Sequence, residues 1–181
     1  MTLPLTTERL RLRPFTEADL PEFVRYRQLP EVARLQAWDE SYSLEDASAF
    51  LERQRSARLG QPDSRVQLAV VGIDTGWLLG DLFVHTLPDV RQLEIGYTLA
   101  PAFQGRGFMT EAVRAFLFAW FADPESWRVQ ATTDPRNGPS IRLLERLGFR
   151  REARHIKRMW FKGEWADDLV YAVLRDEWFG R

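Results

Sequence analysis

The chain has 181 residues, 45% of them apolar and 28% charged, with 25 Lys plus Arg against 26 Asp plus Glu and no cysteine. That length fits a single domain over residues 1–181, able to hide about 70% of the surface its unfolded form exposes without disulfide or metal staples. A net charge of -1 argues against sequence-independent nucleic-acid binding, and the missing cysteines remove thiol nucleophiles, Fe–S clusters and Cys-based zinc sites. The longest apolar run, Ala112 to Ala122, carries Arg114 and is far short of the roughly 20 residues that span a bilayer, and the N-terminal stretch alternates instead of forming an export signal. These features lead us to expect a soluble, cytoplasmic protein without membrane or nucleic-acid partners.

In chain order, Leu10 and Leu12 alternate with Arg9, Arg11 and Arg13, the period of a half-solvated strand. Thr16 followed by Glu17 and Asp19 opens a helix expected to reach about Leu29, and Ser43 with Asp46 opens a second that stops near Gly60. Three strand-like runs follow, Val66 to Ile73, Trp77 to His85 and Leu93 to Leu99, separated by Asp74-Thr75-Gly76 and by Pro88-Asp89, which predicts an antiparallel meander. From Phe108 apolar residues recur at helical spacing until Asp123-Pro124. A strand at Val129 to Thr133, a short helix from Pro139 to Leu147 closed by Gly148, and two long strands joined at Lys162-Gly163 complete the chain. The predicted order is βααβββαβαββ, an α/β (α+β) fold with a mixed, mostly antiparallel sheet and helices on both faces.

The segment Pro101-Ala-Phe-Gln-Gly-Arg-Gly-Phe-Met-Thr110 carries chemistry. A glycine-rich turn between a strand and a helix aims unpaired N–H groups and the positive end of the helix dipole at one place, which suits a phosphate. It is not a Walker A loop, since no G-x-x-x-x-G-K-[ST] string exists, and not a dinucleotide fingerprint, whose third glycine is replaced by Thr110.

On these residues the chain resembles the GNAT superfamily of acyl-CoA-dependent N-acyltransferases, whose signature [QR]-x-x-G-x-[GA] is met by Gln104 to Met109 except at the last position. Glu94-Ile95-Gly96-Tyr97 before the loop, and Asn137, Ser140 and Leu147-Gly148-Phe149 after it, extend the likeness. The opening Thr7-Glu8-Arg9-Leu10 and the closing Gly163, Asp167, Tyr171 and Leu174 resemble the RimJ/RimL-like branch, which acetylates protein N-terminal amines among other substrates.

The resemblance implies acetyl-CoA as co-substrate, its pyrophosphate on the backbone of Gln104, Gly105, Arg106, Gly107, Phe108, Met109 and Thr110. It implies that pantetheine pairs with Tyr97, Thr98 and Leu99 in a splay between the fourth and fifth predicted strands, and that Asn137 and Ser140 touch it. Glu94 is the expected base and an acceptor-site residue, Ser140 the expected donor to the leaving sulfur, and Trp38 an expected wall of the acceptor site; the family's usual acid, a tyrosine, falls on Leu144. The expected acceptor is a primary amine, either a protein N-terminus or a small molecule, on a monomer or homodimer. An α-amine of pKa about 8 costs only about 1.4 kcal/mol to deprotonate at pH 7, against about 4.6 for a lysine, so a modest base suffices. His85 and His155 lie far apart and predict no metal site. A non-catalytic acyl-CoA-binding regulatory module is the alternative reading of the same residues.

Overall fold

The structure, a computed structural model, describes residues Met1–Gly180. Its elements are β1 (Leu5–Thr6), β2 (Leu10–Pro14), α1 (Leu20–Arg27), α2 (Pro30–Ala33), α3 (Leu44–Ser56), β3 (Arg65–Gly72), β4 (Leu78–Thr86), β5 (Gln92–Leu99), α4 (Phe108–Phe121), β6 (Arg128–Thr133), α5 (Gly138–Arg146), β7 (Arg150–Phe161), β8 (Glu164–Leu174) and α6 (Arg175–Phe179). Among the described residues the strands form one eight-stranded sheet in the order β1-β2-β3-β4-β5-β6-β8-β7. All neighbours are antiparallel except β5 and β6.

Local chemistry explains most boundaries. The Ser43 Oγ accepts from the Asp46 N–H at 3.1 Å while Asp46 accepts from the Ser43 N–H at 2.8 Å, a capping box that starts α3. The β7–β8 turn places Lys162 at φ 48° and Gly163 at φ 88°, the two positive angles a tight hairpin requires. The expected first helix divides. Glu17–Asp19 is a 3-10 turn, α1 stops at Arg27, and Leu29 is extended (φ -71°, ψ 126°), because the ring of Pro30 disfavours helical backbone in the residue before it. Pro30 then begins α2. That helix, β1 and α6 were not expected from the sequence: two to five residues are too few to show a period.

Strand β3 is buried on nearly its whole length because helices cover both faces of the sheet. On one face α4 presents Met109, Val113, Phe116, Leu117 and Phe121 to Leu68, Val70, Leu82, Val84, Leu93 and Ile95. Fully burying each such side chain contributes about 1.5–3 kcal/mol. On the other face α1 and α3 seat Phe23, Tyr26, Phe50 and Leu51 against Ala69 and Val71. The meander therefore sits fixed between two cores, and its last strand, β5, is held firmly up to the site.

Candidate active site

Strands β5 and β6 pair only at Gln92–Arg128, Leu93–Val129 and Glu94–Gln130, then diverge although both continue. The phase of the β4–β5 ladder is set by the Ala100 N–H donating to Leu79 O at 2.9 Å and the Leu87 N–H donating to Gln92 O at 3.0 Å. Alternation then turns the backbone groups of Ile95, Tyr97 and Leu99 away from β4 and toward the splay. The Gln104 Nε2 donates to the Leu99 carbonyl at 2.8 Å, so the glycine loop is tied to the end of that edge. An extended amide-bearing ligand can add there as a strand.

The loop itself turns on two glycines in the left-handed region, Gly105 at φ 72° and Gly107 at φ 79°, the latter serving as N-cap of α4. It is braced from the turn between β1 and β2. Glu111 accepts from the Arg9 Nε at 2.7 Å and from the Thr7 hydroxyl at 2.5 Å, and Arg9 also donates to the Arg106 carbonyl at 3.2 Å. Burial pushes the Glu111 carboxyl upward, but these donors outweigh it and hold it below its usual value. Met109, the departure from the signature, is 5% exposed and packs into the core under the loop.

A groove of about 380 Å³ runs from this loop along the splay and is lined by Gln104, Gly105, Gly107, Phe108, Met109 and Thr110 of the loop and by Tyr97, Thr98 and Leu99 of β5. Arg106 is not on its wall; its guanidinium lies 5.1 Å from the Phe108 ring. The positive charge comes instead from Arg34, Arg142 and Arg146; Arg136 is also on the wall but is paired with Asp134 and Glu164. The sequence signal for two of them was available, since Arg142 and Arg146 are one helical turn apart on α5.

A second cavity of about 240 Å³ opens on the far side of the splay, between Leu35–Ala37, β6 and the β7–β8 hairpin, with Asp134 and Asp168 on its wall. Arg136 beside Asp134 holds that carboxyl below its usual range. The two cavities share Leu35, Gln36, Tyr97, Asn137 and Ser140, so the predicted contact residues Tyr97, Asn137 and Ser140 meet where the cavities join. Asn137 caps α5, its Oδ1 accepting from the Ser140 N–H at 3.2 Å. The Ser140 Oγ lies 2.9 Å from the Tyr97 hydroxyl.

Glu94 and Trp38 stand one layer back. Glu94 does not line either cavity, but its carboxylate accepts from the Thr132 hydroxyl at 3.3 Å, and Thr132 does. The Trp38 Nε1 donates to Arg27 O at 3.2 Å and its ring stacks 3.7 Å from the Arg27 guanidinium, which also faces Phe23 and Tyr42. Beneath it Asp81 is buried, accepting from Tyr26 and Gln67, and burial raises its pKa. The Lys162 Nζ, arriving from the hairpin turn, donates to Ala33 O at 2.8 Å and Trp38 O at 2.6 Å. One ammonium thus ties both ends of the Leu35–Ala37 strap that walls the second cavity. Leu144 is 0% exposed in the core and brings no polar group to the junction.

Among known proteins, residues 9–150 match the Acetyltransferase (GNAT) domain family. The chain is 29% identical over 174 residues to the uncharacterized N-acetyltransferase YnaD of Bacillus subtilis, covering 96% of this chain and 98% of that protein. A segment of 84 residues is 31% identical to the [ribosomal protein uS5]-alanine N-acetyltransferase of Escherichia coli, covering 46% of this chain and 43% of that one. A GNAT-family acetyltransferase crystal structure from Bacillus anthracis superposes with a TM-score of 0.84 at 27% identity, covering 97% of this chain and all of that one, its 100%. A splayed strand pair ending in a twin-glycine, arginine-flanked groove has the chemistry of a coenzyme A site, and with a match over most of its length this chain belongs to the GNAT family as an acyl-CoA-dependent N-acetyltransferase.

Proposed function

We propose that the chain, as one catalytic domain over residues 1–181, transfers the acetyl group of acetyl-CoA to a primary amine by direct attack in a ternary complex. The observation that carries this reading is the junction at Tyr97, Asn137 and Ser140, where a long basic groove and a shorter, acid-walled cavity meet. The groove suits a phosphate-bearing, amide-bearing donor: the loop offers N–H groups at the start of α4, the arginines offer charge, and Tyr97 and Leu99 offer an open strand edge. The cavity carries Asp134 and Asp168 on its wall, each facing an arginine (Arg136 and Arg158), and offers an amine polar carboxylate acceptors. A protein N-terminal α-amine is the acceptor class we favour, because the E. coli relative acts on a ribosomal protein's alanine and because an α-amine needs little help to deprotonate.

In this reading Ser140 donates its hydroxyl hydrogen toward the leaving sulfur, and Glu94 takes the amine proton through Thr132 and water. The leaving thiolate, of pKa about 8.5, needs only a hydrogen bond. Orientation of amine and thioester in one junction supplies most of the acceleration. The test is thiol release from acetyl-CoA with a panel of peptides bearing free N-termini and of small amines, the product identified by mass spectrometry. Amine-dependent release with acetylated product is expected. Acetyl-CoA binding without release on any acceptor would move the chain to the regulatory alternative.

A further inference from the structure

We propose that Tyr97 is a positioning residue that aims the Ser140 hydroxyl at the leaving sulfur, through the hydrogen bond between their two oxygens. The inference rests on the role given to Ser140 above and adds a second residue to it. A serine hydroxyl has one hydrogen and two lone pairs and turns freely about its Cβ–Oγ bond. Near the start of a helix it readily spends that hydrogen on a backbone carbonyl one turn back. To serve a sulfur it must keep the hydrogen and point it outward.

The geometry provides the restraint. Leu93 and Ile95 face the α4 side of the sheet, and by the same alternation Tyr97 sends its ring toward α5 while its backbone faces the splay. Its hydroxyl stops 2.9 Å from the Ser140 Oγ and 3.4 Å from the Ser140 carbonyl. Of the two hydroxyls the phenol is the stronger acid, so it is the better donor and the poorer acceptor. With the Tyr97 hydrogen on a lone pair of Ser140, the serine's own hydrogen turns away from the tyrosine and toward the junction that both cavities share.

Tyr97 does not supply the proton. Burial pushes the phenol up to about 12, well above a thiol, so it stays protonated and keeps donating to Ser140 throughout the reaction. The bond changes balance without it: the amine nitrogen forms the C–N bond, the C–S pair leaves on sulfur, and the surplus amine proton passes through Thr132 and water to Glu94 and on to solvent, which also reprotonates the thiolate. Tyr97 and Ser140 end the cycle as they began it.

The experiment is a double-mutant cycle on Tyr97→Phe and Ser140→Ala, read by kcat, acetyl-CoA Kd, acceptor KM and melting temperature. Phenylalanine keeps the ring and removes only the hydroxyl. Tyr97→Phe is expected to lower kcat about 3- to 10-fold, the effect of one net hydrogen bond, with Kd and KM within about twofold of wild type. The double variant is expected to be no slower than Ser140→Ala alone, because without the hydroxyl there is nothing left to aim. A slow Ser140→Ala beside a Tyr97→Phe of full kcat would overturn this inference and leave the Ser140 reading standing. So would losses that multiply in the double variant. A Ser140→Ala of full kcat would overturn both.

Discussion

Replacing Gly107 by alanine separates the backbone demand of the loop from its ligand. Gly107 sits at φ 79°, ψ 0°, where an L-residue costs roughly 1–2 kcal/mol. Its new Cβ would meet nothing closer than the Arg9 Nη2 at 3.6 Å, an ordinary contact, so sterics add no further cost. The strain must then appear in one of two places. If the Arg9 and Glu111 brace holds the loop in place, stability falls and the melting temperature drops by about 2–8 °C for a domain of this size. If the loop relaxes instead, acetyl-CoA must restore it on binding and Kd rises about 5- to 30-fold. Calorimetry with acetyl-CoA and a thermal melt on one preparation give both numbers. Gly107→Asn, which tolerates left-handed backbone better, is expected to show a smaller total effect. An alanine variant with unchanged Kd and unchanged melting temperature, or one indistinguishable from asparagine, would show that the loop imposes no backbone demand at Gly107.

Other expectations concern the groove, the base and the strap. Reversing Arg142 and Arg146 together to glutamate should weaken acetyl-CoA binding at least about tenfold in low salt, with the gap narrowing as salt rises; a salt-independent gap would mean lost packing instead of lost charge. Glu94→Gln should lower kcat more than acetyl-CoA affinity, most strongly at low pH where free amine is scarce, and an identical pH-rate profile would return Glu94 to a structural role. Lys162→Met removes both bonds to the strap and should raise acceptor KM by about 3- to 10-fold while leaving acetyl-CoA Kd alone, since a net hydrogen bond is worth about 0.5–1.5 kcal/mol; equal effects on the two ligands would show that the hairpin serves the fold at large.

What could be read from the chain before its fold was known depended on how local the physics is. Gly105 and Gly107 announce themselves because positive φ excludes most other residues, and Ser43 with Asp46 because a capping box is written within four positions. The meander and the final hairpin follow from alternation and turn residues alone. Groove charge did not follow. Of the 25 basic residues 23 are arginines spread along the whole chain; the one-turn spacing of Arg142 and Arg146 on α5 is the only local signal, nothing local marks Arg34 or Arg136, and Arg106, whose place in the motif suggests a phosphate contact, rests its side chain on Phe108. The Tyr97 hydroxyl was hidden for another reason. Its value comes from Ser140, 43 positions later, and only the crossing of β5 past α5 brings the two oxygens together. Trp38 is expected from the resemblance to wall the acceptor site, but its ring is committed to Arg27, and the adjacent Leu35, Gln36 and Ala37 line the second cavity.

In the proposed reaction the acyl donor adds to β5 as a strand and meets the amine at Tyr97 and Ser140. Amide hydrogen exchange with and without acetyl-CoA tests it most directly, because the N–H groups of Tyr97 and Leu99 face the splay and those of the loop cap the start of α4. Slowed exchange is expected at Tyr97, Leu99 and the amides of residues 104–110, with no change in the buried ladder between β3 and β4. Saturating acetyl-CoA that left Tyr97 and Leu99 exchanging at their free rate, or protected a different face of the sheet, would contradict it.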